Sequence, residues 1–235
     1  MINVPIGGFG LFYDPTIILL VPAMILSMYA QAKVSSTFKK YSGYRNSRGY
    51  TGKEIAEMIL RRAGIYDVRV EHISGKLTDN YNPKTKVLNL SDAVYNNQSI
   101  AAIGVAAHEC GHAIQHNTGY SFLKLRHTIY PVVNISSKLA FPIIFIGLIA
   151  SVFFLKIGII LFTAVVIFQL VTLPVEFNAS NRAIAILEGE GYLSHDEIVP
   201  TKKVLSAAGL TYVAAAASSI SSLLRLLLIL GGRDD

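Results

Sequence analysis

Two histidines and one glutamate near the middle of the chain have the spacing of a metal site. His108, Glu109 and His112 form the pattern HExxH within the segment HECGH. In an α-helix, residues four apart lie on one face about 6 Å apart along the axis, so two imidazoles can bind one metal ion. The glutamate beside them can take a proton from water. The pattern predicts a zinc site with His108 and His112 as ligands and Glu109 as the catalytic base.

The alternative is a pair of hydrogen-bonded core histidines with an exposed Glu109. The neighbouring residues argue against this alternative, because 103–107, Ala113 and Ile114 are small or apolar and indicate a buried helix. Three ionisable side chains in a buried helix are costly unless a metal ion compensates them. We therefore favour the metal site.

The third ligand of such a site must come from elsewhere, since a catalytic zinc usually has three protein ligands and one open position. His116 lies eight residues beyond His108, about 12 Å along the helix, which is too far. An extended pattern with a further histidine also fails, because that position is Thr118. Glu176 directly follows an apolar stretch, and Pro174 favours a helix start there. Glu176 is therefore either the third ligand or an acid favoured by the helix dipole, and both interpretations stay open at this point.

The elements around the motif can be predicted from caps and periodicity. The HExxH segment should lie in a helix of about residues 99–117, for which Ser99 is a candidate N-cap. Thr51 and Glu54 form a capping box ahead of an earlier amphipathic helix. Between these helices, the stretches VRVEHI, KLTDNY and KVLNL alternate in polarity and are separated by Ser-Gly and Asn-Pro turns. They predict a short antiparallel meander.

Much of the remaining chain is apolar enough to cross a membrane. Hydrophobic residues make up 52% of the 235 residues and charged residues only 15%, which excludes a uniformly soluble protein. Windows of about 20 apolar residues, the length of a spanning helix, lie at 15–32, 139–155, 157–175 and 210–230. Lys156 marks the expected turn of a hairpin between the second and third windows. The last window contains Arg225 and also fits a buried or interfacial helix.

The charge distribution predicts an orientation. Residues 33–138 contain fifteen Lys and Arg against seven Asp and Glu. Because cytoplasmic segments near spanning helices collect Lys and Arg, we expect this region and residues 176–209 to be cytoplasmic. The net charge of +6 is then a topological signal, and no nucleic-acid partner is expected. The single Cys110 excludes an internal disulfide.

The predicted fold is a mainly α multi-pass membrane protein with a small α+β zincin-like domain that contains the meander and the HExxH helix. Its expected parts are an N-terminal transmembrane helix, a cytoplasmic catalytic domain, a transmembrane hairpin, a cytoplasmic segment with the third ligand and a C-terminal transmembrane helix. They correspond to residues 1–32, 33–138, 139–175, 176–209 and 210–230.

Several segments together are similar to one known family. LTDNYNP at 77–83, AAIGVAAHECGHAIQ at 101–115 and PVEFNASNRA at 174–183 resemble the YugP-type neutral zinc metallopeptidases, bacterial multi-pass membrane proteins related more distantly to the HtpX-like membrane proteases. The resemblance covers nearly the whole chain, including the apolar windows. It implies a gluzincin-like site in the cell membrane, in which His108, His112 and Glu176 bind one zinc ion and Glu109 is the catalytic acid and base.

The chain departs from the HtpX-like pattern in two places. The pattern ExxAD places an aspartate four residues after the ligand glutamate, whereas this chain has Ser180. Another group must then orient a zinc-bound histidine, or its orientation is looser. Asn80 and Asn82 stand where the resemblance leads us to expect His and Asp.

The predicted activity is hydrolysis of peptide bonds by a zinc-activated water at the cytoplasmic membrane surface, on peptides or proteins that include membrane proteins. Arg182, Asn178 and Tyr212 are candidate donors to the oxyanion. A strand at 76–81 is a candidate for pairing with the substrate. Two alternatives are a noncatalytic scaffold that uses zinc for stability and an intramembrane metalloprotease. The second requires the motif within a spanning window, whereas the apolar stretch before His108 is too short to span.

Overall fold

The computed structural model describes residues 15–234, which are mostly helical. A short 3-10 helix, Pro15–Leu20, leads into the first of six α-helices, and a three-stranded sheet lies between the second and third. In chain order the elements are α1 Val21–Tyr41, α2 Gly52–Arg62, β1 Arg69–Ile73, β2 Asn80–Asn82, β3 Val87–Ser91, α3 Ile100–Asn117, α4 Ser121–Ile149, α5 Val152–Gly189 and α6 His195–Asp234. The first fourteen residues of the predicted N-terminal span lie outside the described residues.

Among residues 15–234, four helices are long and apolar enough to cross a membrane: Pro15–Tyr41, Ser121–Ile149, Val152–Gly189 and His195–Arg233. Large apolar side chains on them face outward, for example Met28 on α1, Phe145 on α4 and Ile160 on α5, each more than 60% exposed. Such surface is stable only when lipid or another apolar surface covers it. Three of these helices, α4, α5 and α6, run well beyond the apolar windows at one end, because hydropathy detects the part that faces lipid and misses the polar continuation of the same helix.

The hairpin between α4 and α5 turns at Ala150 and Ser151, so the predicted turn at Lys156 is wrong. The Ser151 hydroxyl accepts a hydrogen bond from the backbone N–H of Phe153 and caps α5. A capping serine determines where a helix starts, whereas a lone lysine can lie within an apolar helix. Lys156 lies near the start of α5.

Pro174 does not begin a helix, so the predicted helix start at this residue is wrong. It lies inside α5, which continues without interruption to Gly189. An interior proline removes one backbone hydrogen bond, and an apolar helix packed against neighbours tolerates this loss. Glu176 is therefore a mid-helix residue, and the dipole interpretation of this side chain is excluded.

The sheet is mixed, so the predicted antiparallel meander is also wrong. The strand order is β1-β3-β2, with β1 parallel to β3 and β2 antiparallel to it. β3 is the most buried strand, with Leu88 and Leu90 fully buried, and it takes the central position. The two more exposed strands lie at the edges.

Two apolar cores hold the helices together. The larger core surrounds α3 and includes side chains from both predicted cytoplasmic segments, such as Ile55 and Leu90 from the first and Leu187 and Leu205 from the second. The smaller core joins α4, α5 and α6 within the spanning bundle. α5 and α6 both contribute side chains to the two cores.

Both predicted caps that lead towards the site are present. Ser99 accepts a hydrogen bond from the backbone N–H of Ala102, and Thr51 and Glu54 form a complete capping box on α2. These caps fix where the two helices begin. α3 consequently presents His108, Glu109 and His112 near its middle.

Candidate metal centre

The site forms where α3 and α5 approach each other closely at Gly111. A Cβ atom added at Gly111 would lie 2.6 Å from the backbone oxygen of Ala179, closer than real Cβ atoms come. Glycine thus lets the two backbones approach at this point. His108, Gly111 and His112 repeat at the spacing i, i+3, i+4, and Glu176, Ala179 and Ser180 repeat at the same spacing on α5. The two faces meet with the histidines opposite the glutamate.

The structure brings His108, His112 and Glu176 together. The Glu176 Oε2 atom lies 3.3 Å from His108 Nε2 and 3.5 Å from His112 Nε2. One donor atom from each of the three residues lies within 4.8 Å of the others. The glutamate side chain is 3% exposed, and the histidine side chains are 14% and 13% exposed. The cluster is thus almost completely shielded, with a small opening on the histidine side.

The atoms of this cluster fit a divalent cation. Within the described residues, Glu176 Oε2 is the one buried side-chain nitrogen or oxygen atom without a hydrogen-bond partner. A buried polar atom without a partner is costly, and a buried charge is still more costly. Two imidazole nitrogens and one carboxylate oxygen are a typical zinc ligand set. A zinc ion would compensate all three groups at once.

Hydrogen bonds on the far side of each ring orient the histidines. His108 Nδ1 lies 3.0 Å from Ser180 Oγ, and His112 Nδ1 lies 3.0 Å from Gln115 Oε1. The amide group of Gln115 donates to Val175 O and Asn178 Oδ1, so its Oε1 must accept. His112 therefore carries its proton on Nδ1 and directs the Nε2 lone pair towards Glu176.

Ser180 thus occupies the position of the expected aspartate and also contacts a candidate ligand histidine. Its hydroxyl can accept the Nδ1 proton of His108, which orients the ring without a second carboxylate. The network continues from Asn178 to Arg182, whose Nε donates to Asn178 Oδ1 at 2.8 Å. Asn178 and Arg182 are therefore engaged with each other.

Sequence reasoning missed two residues of the site. Gln115, completely buried on α3, was not singled out, although a buried amide three residues after His112 on one helix face is a detectable signal. Arg126 on α4 was counted only as a charge. Its Nη1 donates to Glu176 Oε1 at 3.2 Å. The two oxygens of Glu176 therefore have different partners, since Oε1 is held by arginine and Oε2 faces the histidines. An arginine near the start of an apolar helix is the signal that could have identified Arg126.

Glu109 lies beside the cluster and is itself buried, at 8% exposure. Burial raises the pKa of its carboxyl above the ordinary value, although the nearby His112 and His108 act in the opposite direction. A carboxyl with a raised pKa holds a proton more readily than an exposed one. The hydroxyl of Tyr212 on α6 lies within electrostatic range of both Glu176 and Glu109.

Other polar residues near the motif have separate roles. Cys110 is buried, and its thiol donates to the backbone oxygen of Ala56, as expected for a packing residue. His116 Nδ1 bonds the hydroxyl of Tyr81 and is outside the cluster, which agrees with its exclusion on distance. Asn80 bonds Thr78 O, and Asn82 accepts from the backbone of the next turn, so both asparagines stabilise local backbone.

Comparison with known proteins identifies the family of the chain. Residues 16–231 match the family described as "Putative neutral zinc metallopeptidase", and the chain belongs to this family.

Among curated proteins, the chain is 52% identical over 222 residues to the "Putative membrane protease YugP" of Bacillus subtilis (strain 168), a match that covers 93% of this chain and 98% of that protein. The resemblance inferred from the motifs is thereby confirmed. Together with the four apolar helices of spanning length in the described part of the chain, this similarity indicates a membrane protein. No solved structure matches the chain significantly.

Proposed function

We propose that this protein is a membrane-bound zinc metalloendopeptidase of the gluzincin type, with one zinc ion per chain held by His108, His112 and Glu176. The observation that carries the proposal is the buried Glu176 Oε2 atom, which has no hydrogen-bond partner in the described residues and faces two imidazole nitrogens. Membership of a zinc peptidase family supports the choice of metal.

Bound zinc supplies Lewis acidity, which polarises the scissile carbonyl and acidifies water. The protein supplies the proton transfers. The Glu109 carboxylate takes one proton as water adds to the carbonyl carbon, and the same proton then goes to the leaving amine as the C–N bond breaks. The products are a carboxylic acid and an amine. Burial, which raises the pKa of Glu109, makes this carboxylate a better proton acceptor.

Tyr212 is the best supported donor to the oxyanion among the three candidates. Asn178 and Arg182 bond each other and the network behind His112. Tyr212 instead interacts electrostatically with the Glu176 and Glu109 carboxylates. A phenol hydroxyl can donate to an oxygen that gains negative charge during the reaction.

An extended peptide would pair with β2, the edge strand Asn80–Asn82. β2 pairs with β3 on one side, and within the described residues no strand pairs with its other side. Tyr81 of this strand reaches α3 through its hydrogen bond to His116. A free edge beside the motif helix can position a substrate backbone by strand addition. Of the suggested binding strand 76–81, residues 80 and 81 belong to β2.

The catalytic region would face the cytoplasm and act on peptides or proteins close to the membrane. The large core contains side chains from residues 33–138 and from residues 176–209, which supports the location of both segments on one side. The excess of Lys and Arg in residues 33–138 supports the cytoplasmic side. The motif helix α3 is not a candidate span, but Arg126, Glu176 and Tyr212 come from helices that are. A site at the membrane boundary fits this arrangement better than one at the bilayer centre.

The test is Glu109→Gln in the purified full chain, with zinc content and cleavage of a peptide library measured together. We expect about one zinc per chain and a loss of hydrolysis of at least about a hundredfold, since general acid–base groups typically contribute 10²–10⁴-fold. Glu57→Gln, which changes an exposed carboxyl on α2, is the matched control and should retain full activity. Unchanged cleavage in Glu109→Gln would contradict the mechanism, and zinc without cleavage in the wild type would support a noncatalytic scaffold.

A further inference from the structure

A cavity of about 590 Å³ with three lysines in its lining lies between α1 and α6, and none of its lining residues belongs to the metal centre. Its volume lies within the roughly 300–1,000 Å³ of typical small-ligand sites. Three lysines, three aliphatic hydroxyl residues and one tyrosine supply its polar lining, namely Lys33, Lys40, Lys203, Ser36, Thr37, Ser206 and Tyr41. No carboxylate lines the cavity, and none of the three lysines forms an ion pair within the described residues.

Both helices present this lining with the same spacing. On α1, residues 33, 36, 37 and 40 follow the pattern i, i+3, i+4, i+7, which places them on one helix face. On α6, residues 203, 206, 207 and 210 follow the same pattern. The cavity is therefore formed by two complete helix faces and extends for about 10 Å along each helix.

The cavity lies at the boundary of the apolar layer. Ser27 Oγ lies 3.1 Å from Ser218 Oγ, and the cavity residues come later along α1 but earlier along α6. The two helices therefore pack antiparallel, and the Lys33 end of the cavity is the end nearer Leu210. The apolar window of α1 ends at residue 32, and that of α6 begins at residue 210. Tyr29, one turn before Lys33 on the same face, is 55% exposed, as expected for a tyrosine at a lipid interface.

We propose that this cavity binds the phosphate of an anionic phospholipid headgroup. Lysine ammonium groups and hydroxyls are donors suited to a phosphate, and there is no carboxylate in the lining to repel it. A basic pocket between spanning helices at the level of the headgroups favours an anionic lipid over a zwitterionic one. The lipid chains would continue along the exposed apolar side chains of α1. The site does not depend on the proposed peptidase activity.

Two neighbouring pairs of lysines allow a matched test. Lys40 and Lys203 line the cavity, whereas Lys39 and Lys202 precede them in sequence and do not. All four side chains are exposed. The variants Lys40→Gln/Lys203→Gln and Lys39→Gln/Lys202→Gln therefore remove equal charge from the same helices at the same membrane level. Thermal unfolding checks that both variants remain folded.

The measurement is binding of fluorescent phosphatidylglycerol to the purified full chain in neutral detergent, compared with phosphatidylcholine that has the same chains. We expect preference for phosphatidylglycerol, a loss of about twenty-fivefold in the first variant, from about fivefold per lysine, and a change within about threefold in the second. An excess of inorganic phosphate should not displace the lipid. Equal losses in both variants, no preference for phosphatidylglycerol, or displacement by inorganic phosphate would each overturn the proposal.

Discussion

The two halves of α5 lie in the same helix but are stabilised in different ways. The membrane half, residues 152–172, contributes Leu155, Ile159, Phe162 and Val166 to the apolar core of the bundle. The site half, residues 173–189, carries Glu176 and the residues that connect it to α3. Contacts in the membrane half are apolar and non-directional, so they depend on shape and volume. Contacts in the site half depend on individual atoms, because each buried polar group needs its own partner.

This difference shows how one helix can combine a membrane anchor with a binding site. The membrane half fixes the position of α5 against α4 and α6. The site half then presents a carboxylate whose two oxygens have separate partners, Arg126 on α4 and the histidines on α3. A substitution in the membrane half should change stability alone, whereas one in the site half should also change metal affinity.

The largest effect is expected for Glu176→Ala. Loss of a ligand should lower zinc affinity by more than about a hundredfold, since losing only an outer partner of a ligand costs about 10–100-fold. Competition with a chromophoric chelator measures this affinity without relying on activity. Glu188→Ala, on an exposed position of the same half of α5, should leave it unchanged. Normal affinity in Glu176→Ala would place the third ligand elsewhere.

Substitutions at three glycines distinguish effects on stability from effects on zinc binding. Gly111→Ala places a Cβ against Ala179 O, and Gly158→Ala places one 2.5 Å from the Ile144 side chain in the membrane half. Each should lower the free energy of unfolding by about 1–3 kcal/mol through overpacking. Only Gly111→Ala should also weaken zinc binding, because it separates α3 from α5.

Gly189→Ala, which meets nothing within 4 Å, is the control and should change neither property. Thermal unfolding in detergent and chelator competition measure the two quantities. Equal loss of zinc in the Gly111 and Gly158 variants would contradict the proposed difference between the halves.

The sequence predicted the local features of the site better than the contacts between residues far apart in the chain. The HExxH helix, its Ser99 cap and the choice of Glu176 depend on short spacings and on the family resemblance, and the structure brings the three candidate ligands together. The continuation of α5 through Pro174 was missed because local propensity opposes a proline inside a helix, whereas packing against α3 and α4 maintains it. Arg126 was missed because its contact with Glu176 joins residues 50 positions apart. Gln115 contacts His112 only three residues away, but the bond that anchors its amide to Val175 spans 60 positions.

The predicted topology of the sheet was wrong for a related reason. The alternation predicted three strands, of which the second is confined to Asn80–Asn82 instead of 76–81. Alternation contains no information on the order of the strands in a sheet. Burial decides that order, because β3 has the most apolar residues and becomes the central strand. The chain after β1 therefore passes to the far edge, where β2 forms.

Smaller effects are expected from the groups that orient the histidines. Gln115→Ala removes the acceptor of His112 Nδ1 and should lower zinc affinity by about 10–100-fold. Ser180→Ala should cost about tenfold, since a hydroxyl is a weaker acceptor than a carboxylate or a fixed amide. Ser180→Asp should bind zinc at least as tightly as the wild type. Chelator competition measures all three, and an unchanged affinity in both alanine variants would show that the rings are oriented by packing alone.

The most direct test of the metal centre is zinc K-edge X-ray absorption of the purified protein and of Glu176→Ala. The proposed site predicts two imidazole nitrogens and carboxylate oxygen at about 2.0–2.2 Å in the wild type. The carboxylate contribution should disappear in Glu176→Ala and remain in Glu109→Gln. A sulfur ligand from Cys110, or spectra that are identical in wild type and Glu176→Ala, would contradict a zinc site shared between α3 and α5.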